Sequence, residues 1–194
     1  MKPHLFLLAG LCCALPLFAE TDYDAEAALR IQSFEYPEDF TVGLFADPTQ
    51  TTNPSAICFD DEGRMYIGEI HRWRAGVEDI RHHIPMLVDD LSIVTSEDRL
   101  KMYEKHSATG YIPFENWTAH ADSIRMVEDQ DGDGRADHSV MYADDFRDPL
   151  DGPGIGVIHR DGKVYYTNIP HLWMLEDEDG DGVSDERVSL QDGF

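Results

Sequence analysis

Two nine-residue segments of this chain place carboxylates at the spacing that encloses a hard cation. Counted from the first aspartate, both segments have aspartate at positions 1, 3, 5 and 9 and glycine at position 6. Alternate residues of a tightly curled loop point inward, the glycine allows a sharp turn, and the backbone carbonyl of position 7 can complete a shell of six to eight oxygens, which suits Ca²⁺ better than Mg²⁺. The predicted ligands are Asp129, Asp131, Asp133, Arg135 and Asp137 in the first acidic loop and Asp177, Asp179, Asp181, Val183 and Asp185 in the second.

The acidic loops differ from an EF-hand at their ends. Position 12, which supplies a bidentate glutamate in an EF-hand, is Val140 in the first loop and Val188 in the second, and the flanking residues favour strands. We therefore expect these loops to close β-hairpins and to have a structural role rather than a sensory one. The alternative is that they are solvated hairpin tips that bind no metal. Two nine-residue matches at a regular spacing favour calcium.

The histidines and tryptophans suggest chemistry less specifically. The sequence has no HExxH, GxSxG, P-loop or GxGxxG motif, so no catalytic residue is assigned. His71 and His171 stand beside strand-like runs, where the loops of a propeller converge on a face, and they are the candidates for a substrate-facing position. Packing within the fold is the alternative for both. Trp73, Trp117 and Trp173 could stack on sugars, although such rings more often pack in a core.

The segments around the acidic loops have the pattern of short strands joined by tight turns. Turn signals such as Asp61-Glu62-Gly63 and Asp161-Gly162 supply the positive φ that a hairpin needs. A hairpin followed by an acidic-loop hairpin occurs twice. The predicted strands are residues 40–45, 55–59, 64–68, 123–128, 138–142, 156–159, 163–168, 171–176 and 187–190.

The spacing of the repeat predicts a propeller. Asp129 and Asp177 are 48 residues apart, which is within the range of one four-stranded propeller blade. The expected fold class is all-β: an incomplete β-propeller of about two four-stranded blades. A propeller typically needs at least four blades, so we expect the chain to be truncated at its C-terminus.

A helical insertion at residues 71–121 is expected within the first blade. Thr95 or Ser96 offers the N-cap of its second helix. The insertion either forms a lid or partner surface or packs over a propeller face, and both alternatives stay open. The first helix is predicted from apolar residues at three- and four-residue spacing, namely Ile80, Ile84, Leu87, Val88, Leu91 and Val94.

The N-terminal residues of the chain indicate the compartment of the protein. Residues 1–19 have a lysine, an apolar run and a small residue at the end, the pattern of a cleaved signal peptide that is too short for a transmembrane segment. The protein is therefore expected to be exported, to the periplasm, the cell surface or the medium. Residues 20–33 are predicted to be an N-terminal arm, and residues 34–194 the propeller blades.

The net charge limits the classes of partner, and the cysteine count limits the possible disulfides. The formal net charge is −24, which disfavours nucleic acid as a partner and is better tolerated if divalent cations lie among the carboxylates. Cys58 is the only cysteine beyond the signal peptide, so it cannot form an intrachain disulfide there and is predicted to be a small core residue.

Three stretches of the sequence resemble a known family. Residues 37–46, residues 53–69 and residues 162–173 with the acidic loop that follows resemble, in order and spacing, the bacterial putative membrane-bound dehydrogenase family of β-propellers. The resemblance covers nearly all of the chain after the signal peptide. Members of that family are similar in fold to soluble glucose and sorbosone dehydrogenases.

The resemblance implies a function for the full-length protein. It implies oxidation of a sugar or alcohol, possible use of pyrroloquinoline quinone (PQQ), and electron transfer to haem c in a c-type cytochrome domain. This chain has no CxxCH motif, and no catalytic residue can be transferred from the family, so this part alone is expected to be inactive. The alternative is a non-catalytic, calcium-stabilised propeller module that binds glycan or protein.

Overall fold

The computed structural model describes residues 21–193. The predicted signal peptide lies outside this range. Within it, no helix is both long and apolar enough to cross a membrane. The predicted N-terminal arm contains helix α1 (Tyr23–Ile31). Asp22 caps the start of this helix, because its side chain accepts the N–H of Ala25.

Within residues 21–193, eight strands form two four-stranded antiparallel sheets. The first sheet has the order β1-β2-β3-β4 and the second has the order β5-β6-β7-β8. The fold is thus mostly β, as expected, and neither sheet closes on itself. The strands are β1 (Pro54–Phe59), β2 (Met65–Glu69), β3 (Asp122–Glu128), β4 (His138–Phe146), β5 (Gly154–Arg160), β6 (Lys163–Asn168), β7 (His171–Glu176) and β8 (Glu186–Gln191).

The two sheets pack against each other through β1 and β5, which we call their inner strands, and through buried aromatic rings. Ser55 of β1 donates to the carbonyl of Gly154 in β5 at 2.9 Å, and the rings of Phe146 and Tyr166 lie 4.8 Å apart. The half-buried Cys58 packs against this core, in line with its predicted place there. The core between the sheets consists of Tyr66, Ile124, Met126, Tyr142, Ala143, Phe146, Val157, Val164, Tyr166 and Leu175.

The insertion between β2 and β3 is helical, as predicted, but it buries different residues. Helices α2 (Ile84–Asp90) and α3 (Ser96–Ala108) follow a 3₁₀ turn, and Thr95 caps α3 by accepting the N–H of Asp98. The apolar residues that predict the first helix do not form one buried stripe, because the helical structure is interrupted at His83, which separates Ile80 from α2, and Met86 is the buried residue of α2. The stripe residues Ile84, Val88, Leu91 and Val94 are exposed.

For Trp117 the structure shows packing in a core, the more common of the two uses expected from the sequence. Trp117 is buried in the small core of the insertion, where its ring stacks on that of Tyr103 with centroids 4.0 Å apart. It therefore cannot stack on a sugar in this conformation. Trp73 is exposed, and Trp173 is half-buried beside Phe146.

Two predictions of local structure near the inner strands differ from the structure. Residues 40–45 pair with no strand within residues 21–193, so the strand predicted there is not observed in this part of the chain. A strand is predicted at residues 156–159, whereas β5 already begins at Gly154. The reason is that Gly154 pairs with Asn168 and lies too close to Tyr166 for any side chain.

Candidate metal centre

Both acidic loops connect the third and fourth strands of a sheet. The first loop joins β3 to β4 and the second joins β7 to β8. Equivalent backbone hydrogen bonds close the two hairpins, from Asp137 to Glu128 at 3.0 Å and from Asp185 to Glu176 at 2.8 Å. The strand pairing therefore holds the two ends of each loop together and turns the loop back on itself.

The aspartate at position 1 organises the first acidic loop. Asp129 accepts backbone N–H bonds from Gly132 at 2.8 Å, Asp133 at 3.2 Å and Gly134 at 2.8 Å. Asp137 accepts the N–H of Gln130 at 3.1 Å. The hydrogen bond from Gly134 is the main reason why the pKa of the Asp129 carboxyl lies below its ordinary value. The loop thus favours an ionised carboxylate, the form that binds metal.

The second acidic loop repeats this arrangement. Asp177 accepts backbone N–H bonds from Gly180 at 2.7 Å and Gly182 at 2.9 Å. Asp185 accepts the N–H of Glu178 at 2.8 Å. Gly182 at position 6 has φ +86°, which explains why the tight turn needs glycine there. Two loops of different surrounding sequence therefore adopt one hydrogen-bonding pattern.

Three of the four predicted carboxylates in each loop converge. Oxygens of positions 1, 3 and 9 lie within 4.8 Å of one another, close enough for one cation to contact all three. The position-5 carboxylates do not belong to these groups; Asp133 accepts the N–H of Arg135 and Asp181 accepts that of Val183, both at 2.8 Å. The groups are Asp129, Asp131 and Asp137 in the first loop and Asp177, Asp179 and Asp185 in the second.

The residues at position 7 differ in what their side chains contact. Arg135 forms an ion pair with Asp24 of α1 and lies 3.9 Å from a carboxylate oxygen of Asp47. Val183 has an exposed side chain. The carbonyl ligands expected from these two residues stay a prediction, while the Arg135 side chain ties the first loop to the N-terminal arm.

The second loop also rests on the first sheet. Ser184 donates its N–H to the carbonyl of Tyr142 in β4 at 2.8 Å. Gly182 is so close to Met126 that a Cβ built on it would lie 2.9 Å from the Met126 Cε atom. Any ion that orders this loop would therefore also stabilise the contact between the two sheets.

The two candidate histidines lie at the end of the sheets opposite the acidic loops. His71 follows β2, and its Nδ1 atom lies 3.3 Å from Asn53 Nδ2. His171 begins β7, with its Nδ1 atom 3.0 Å from the Ser189 hydroxyl and its ring 4.6 Å from that of Trp173. The structure places them at one end of the molecule but gives them separate partners, and their substrate-facing role stays a prediction.

A buried polar network at this end was not predicted from the sequence. The fully buried Glu69 carboxylate accepts hydrogen bonds from Thr51, Thr52, Ser123 and Arg125 at 2.8–3.0 Å. The only sequence signal was acidic and basic residues directly at strand ends, which is not specific.

A second part of this network joins the two sheets. Asp122 accepts the N–H groups of His71 at 2.7 Å, Arg72 at 2.9 Å and Gly154 at 2.8 Å. The buried Arg72 guanidinium donates to the carbonyls of Asp151 at 2.9 Å and Trp117 at 2.8 Å. These bonds fix the insertion and the β4–β5 connection to the first sheet, so their first effect is structural.

Comparison with known proteins gives a family but no activity. No curated protein and no solved structure matches the chain. A family model described as a domain of unknown function, DUF7133, matches residues 26–194, which include both sheets, the insertion and both acidic loops. The chain belongs to the DUF7133 family.

Proposed function

We propose that this chain is the calcium-binding N-terminal portion of an exported β-propeller, and that each acidic loop binds one Ca²⁺. The observation that supports this most is the duplication of the loop geometry. Both loops gather the carboxylates of positions 1, 3 and 9 within 4.8 Å and use glycine at position 6. A convergent set of three negative charges in both loops favours a bound cation over solvated hairpin tips.

Calcium would act on stability through charge and through the loop contacts. A net charge of −24 opposes compaction by self-repulsion, and a divalent ion among three carboxylates offsets most of that repulsion locally. The first loop contacts the N-terminal arm through Arg135, and the second contacts β4 through Ser184. The proposed role is therefore to hold neighbouring structural units together.

Calcium titration of matched variants tests the two sites. Asp129→Asn and Asp177→Asn keep an oxygen that can accept the loop N–H groups and remove the charge. By isothermal titration calorimetry we expect two ions per chain, and we expect each variant to lose about tenfold or more in affinity at its own site. Asp161→Asn, at the exposed tip of the β5–β6 hairpin, is the control and should still bind two ions. A wild-type chain that binds no Ca²⁺ would refute the proposal.

For the full-length protein we propose the activity that the family resemblance implies, oxidation of a sugar or alcohol with PQQ and transfer of electrons to a c-type cytochrome domain. The placement of His71 and His171 at one end of the sheets supports a substrate face there. Dye-linked oxidation assays with added PQQ should show activity for the full-length protein and none for this chain. Turnover by this chain alone would contradict the proposal, and inactivity of the full-length protein would favour a non-catalytic module that binds glycan or protein.

A further inference from the structure

A short segment before the first sheet matches the outermost strand of that sheet. Residues 44–47 read Leu-Phe-Ala-Asp, and residues 141–144 of β4 read Met-Tyr-Ala-Asp. Residues 44–47 precede β1 as residues 141–144 precede β5. By sequence and by order along the chain, the segment occupies the position of a fourth strand, although it has no ladder partner within residues 21–193.

The two segments also receive the same contacts. The residue at position 8 of each acidic loop donates its N–H at 2.8 Å, from Ala136 to the carbonyl of Phe45 and from Ser184 to the carbonyl of Tyr142. Phe45 and Tyr142 are the equivalent residues of the two four-residue segments. The first loop therefore rests on residues 44–47 as the second loop rests on β4.

Position 11 of each loop also contacts the chain after this carbonyl, although not at equivalent residues. Ser139 donates its hydroxyl to the carbonyl of Gln50, five residues after Phe45, at 2.8 Å, and Arg187 donates from its guanidinium to the carbonyl of Asp144, two residues after Tyr142, at 2.5 Å. The equivalence of the two segments therefore rests on their sequence, their order along the chain and the position-8 hydrogen bonds.

The side of the first sheet that faces away from the second sheet is only half covered. Phe45 and Ala46 pack on a small core of Ile67, Val127 and Ala136. Ile57 and Phe59 share this face, since they pair across the strands with Ile67 and Met65, yet they are 54% and 53% exposed. The uncovered residues are those of the inner strand, where a neighbouring sheet would place its own inner strands.

We infer that residues 41–47 are the outermost strand of a further four-stranded sheet, and that its other three strands come from the continuation of the same polypeptide after residue 194. This inference rests on the propeller in the proposed function and adds how the ring would close. The partner of the segment is the third strand of that sheet, the counterpart of β3 and β7. The inner strands of the same sheet cover Ile57 and Phe59. The backbone amides of residues 41–46 donate no hydrogen bond within residues 21–193, so they are free to pair with such an edge.

Photocrosslinking of the full-length protein tests this inference. A benzophenone amino acid replaces Gly43, where a side chain would meet nothing within 4 Å in this chain. We expect an intramolecular crosslink, mapped by mass spectrometry, to a strand beyond residue 194 that directly precedes a loop. The same group at the exposed Glu104 of α3 is the control and should give no crosslink to that strand.

Each other outcome overturns the inference. A crosslink to a second copy, visible as a covalent dimer, would mean that the segment pairs between molecules. A crosslink only to a different protein, or no crosslink at all, would mean that no strand of this polypeptide lies beside residues 41–47. Calcium titration of the same labelled protein separates the two proposals, because the loops can bind Ca²⁺ whether or not the segment is paired.

Discussion

Gly154 lies where the inner strand of the second sheet meets the buried ring of Tyr166. A Cβ at this position would overlap the Tyr166 hydroxyl, and the ring of Tyr166 is fully buried. We expect Gly154→Ala to destabilise the fold by about 1–3 kcal/mol in chemical denaturation. Gly43→Ala is the control, because its Cβ would contact nothing. Equal stability of the two variants would show that the sheets do not pack as described.

We expect the stability of the fold to depend on pH through the buried carboxyl group of Asp151. Burial raises the pKa of its carboxyl to about 6, although the N–H of Asp148 and the charge of Arg72 act in the opposite direction. The folded state therefore holds more protons than the unfolded state between about pH 4 and pH 6, and this contribution to stability is lost as the pH rises through that window. Asp151→Asn should remove this loss. Urea denaturation at pH 4.5 and pH 7 measures it, and an identical pH dependence in variant and wild type would contradict the assignment.

For individual residues, the sequence predicts the acidic loops better than the buried polar network around Glu69. The carboxylates of the acidic loops are close in sequence, so their spacing alone indicates that they converge. Glu69 instead accepts hydrogen bonds from Ser123 and Arg125, which lie 54 and 56 residues further along the chain. No local sequence pattern indicates such distant partners. The position-5 aspartates show the limit of the spacing argument, since Asp133 and Asp181 bond to their own loop backbone.

The glycines at position 6 show how the two acidic loops differ in their contacts with the sheets. Gly134 and Gly182 both have positive φ, at +91° and +86°, but only Gly182 touches the other sheet, near Met126 and Val140. In calcium-free buffer, Gly134→Ala should lose about 1–2 kcal/mol of stability from its backbone conformation alone. Gly182→Ala should lose more, because its methyl group must also displace Met126. If the two variants unfold at the same denaturant concentration, the second loop does not rest on the first sheet.

Most strands follow from the sequence, and the exceptions have physical reasons. Strands such as β6 and β7 match the predicted residues because alternating apolar residues and glycine turns are local signals. Residues 40–45 have the same pattern but no partner strand within residues 21–193. In α2 the apolar spacing was present, yet Met86 fills the small core beside Trp117 and leaves Val88 exposed.

At the scale of the whole molecule, an acidic chain folds into two repeated sheets, each with one acidic loop. The sheet order and the 48-residue spacing of the loops follow one repeat, and DUF7133 membership covers all of it. Both acidic loops lie at one end of the sheets, whereas the buried polar network and both candidate histidines lie at the other. Calcium binding and any chemistry of the full-length protein are therefore expected to occur at opposite ends.

Thermal unfolding with and without calcium tests the central claim most directly. Free Ca²⁺ at about 100 times its Kd stabilises the folded state by about 2.7 kcal/mol per site, which raises the Tm by about 5 °C or more. We predict that EDTA lowers the Tm of the wild-type chain, that added Ca²⁺ restores it, and that the Asp129→Asn and Asp177→Asn double variant responds to neither. Identical melting curves of the wild-type chain in Ca²⁺ and in EDTA would contradict the account.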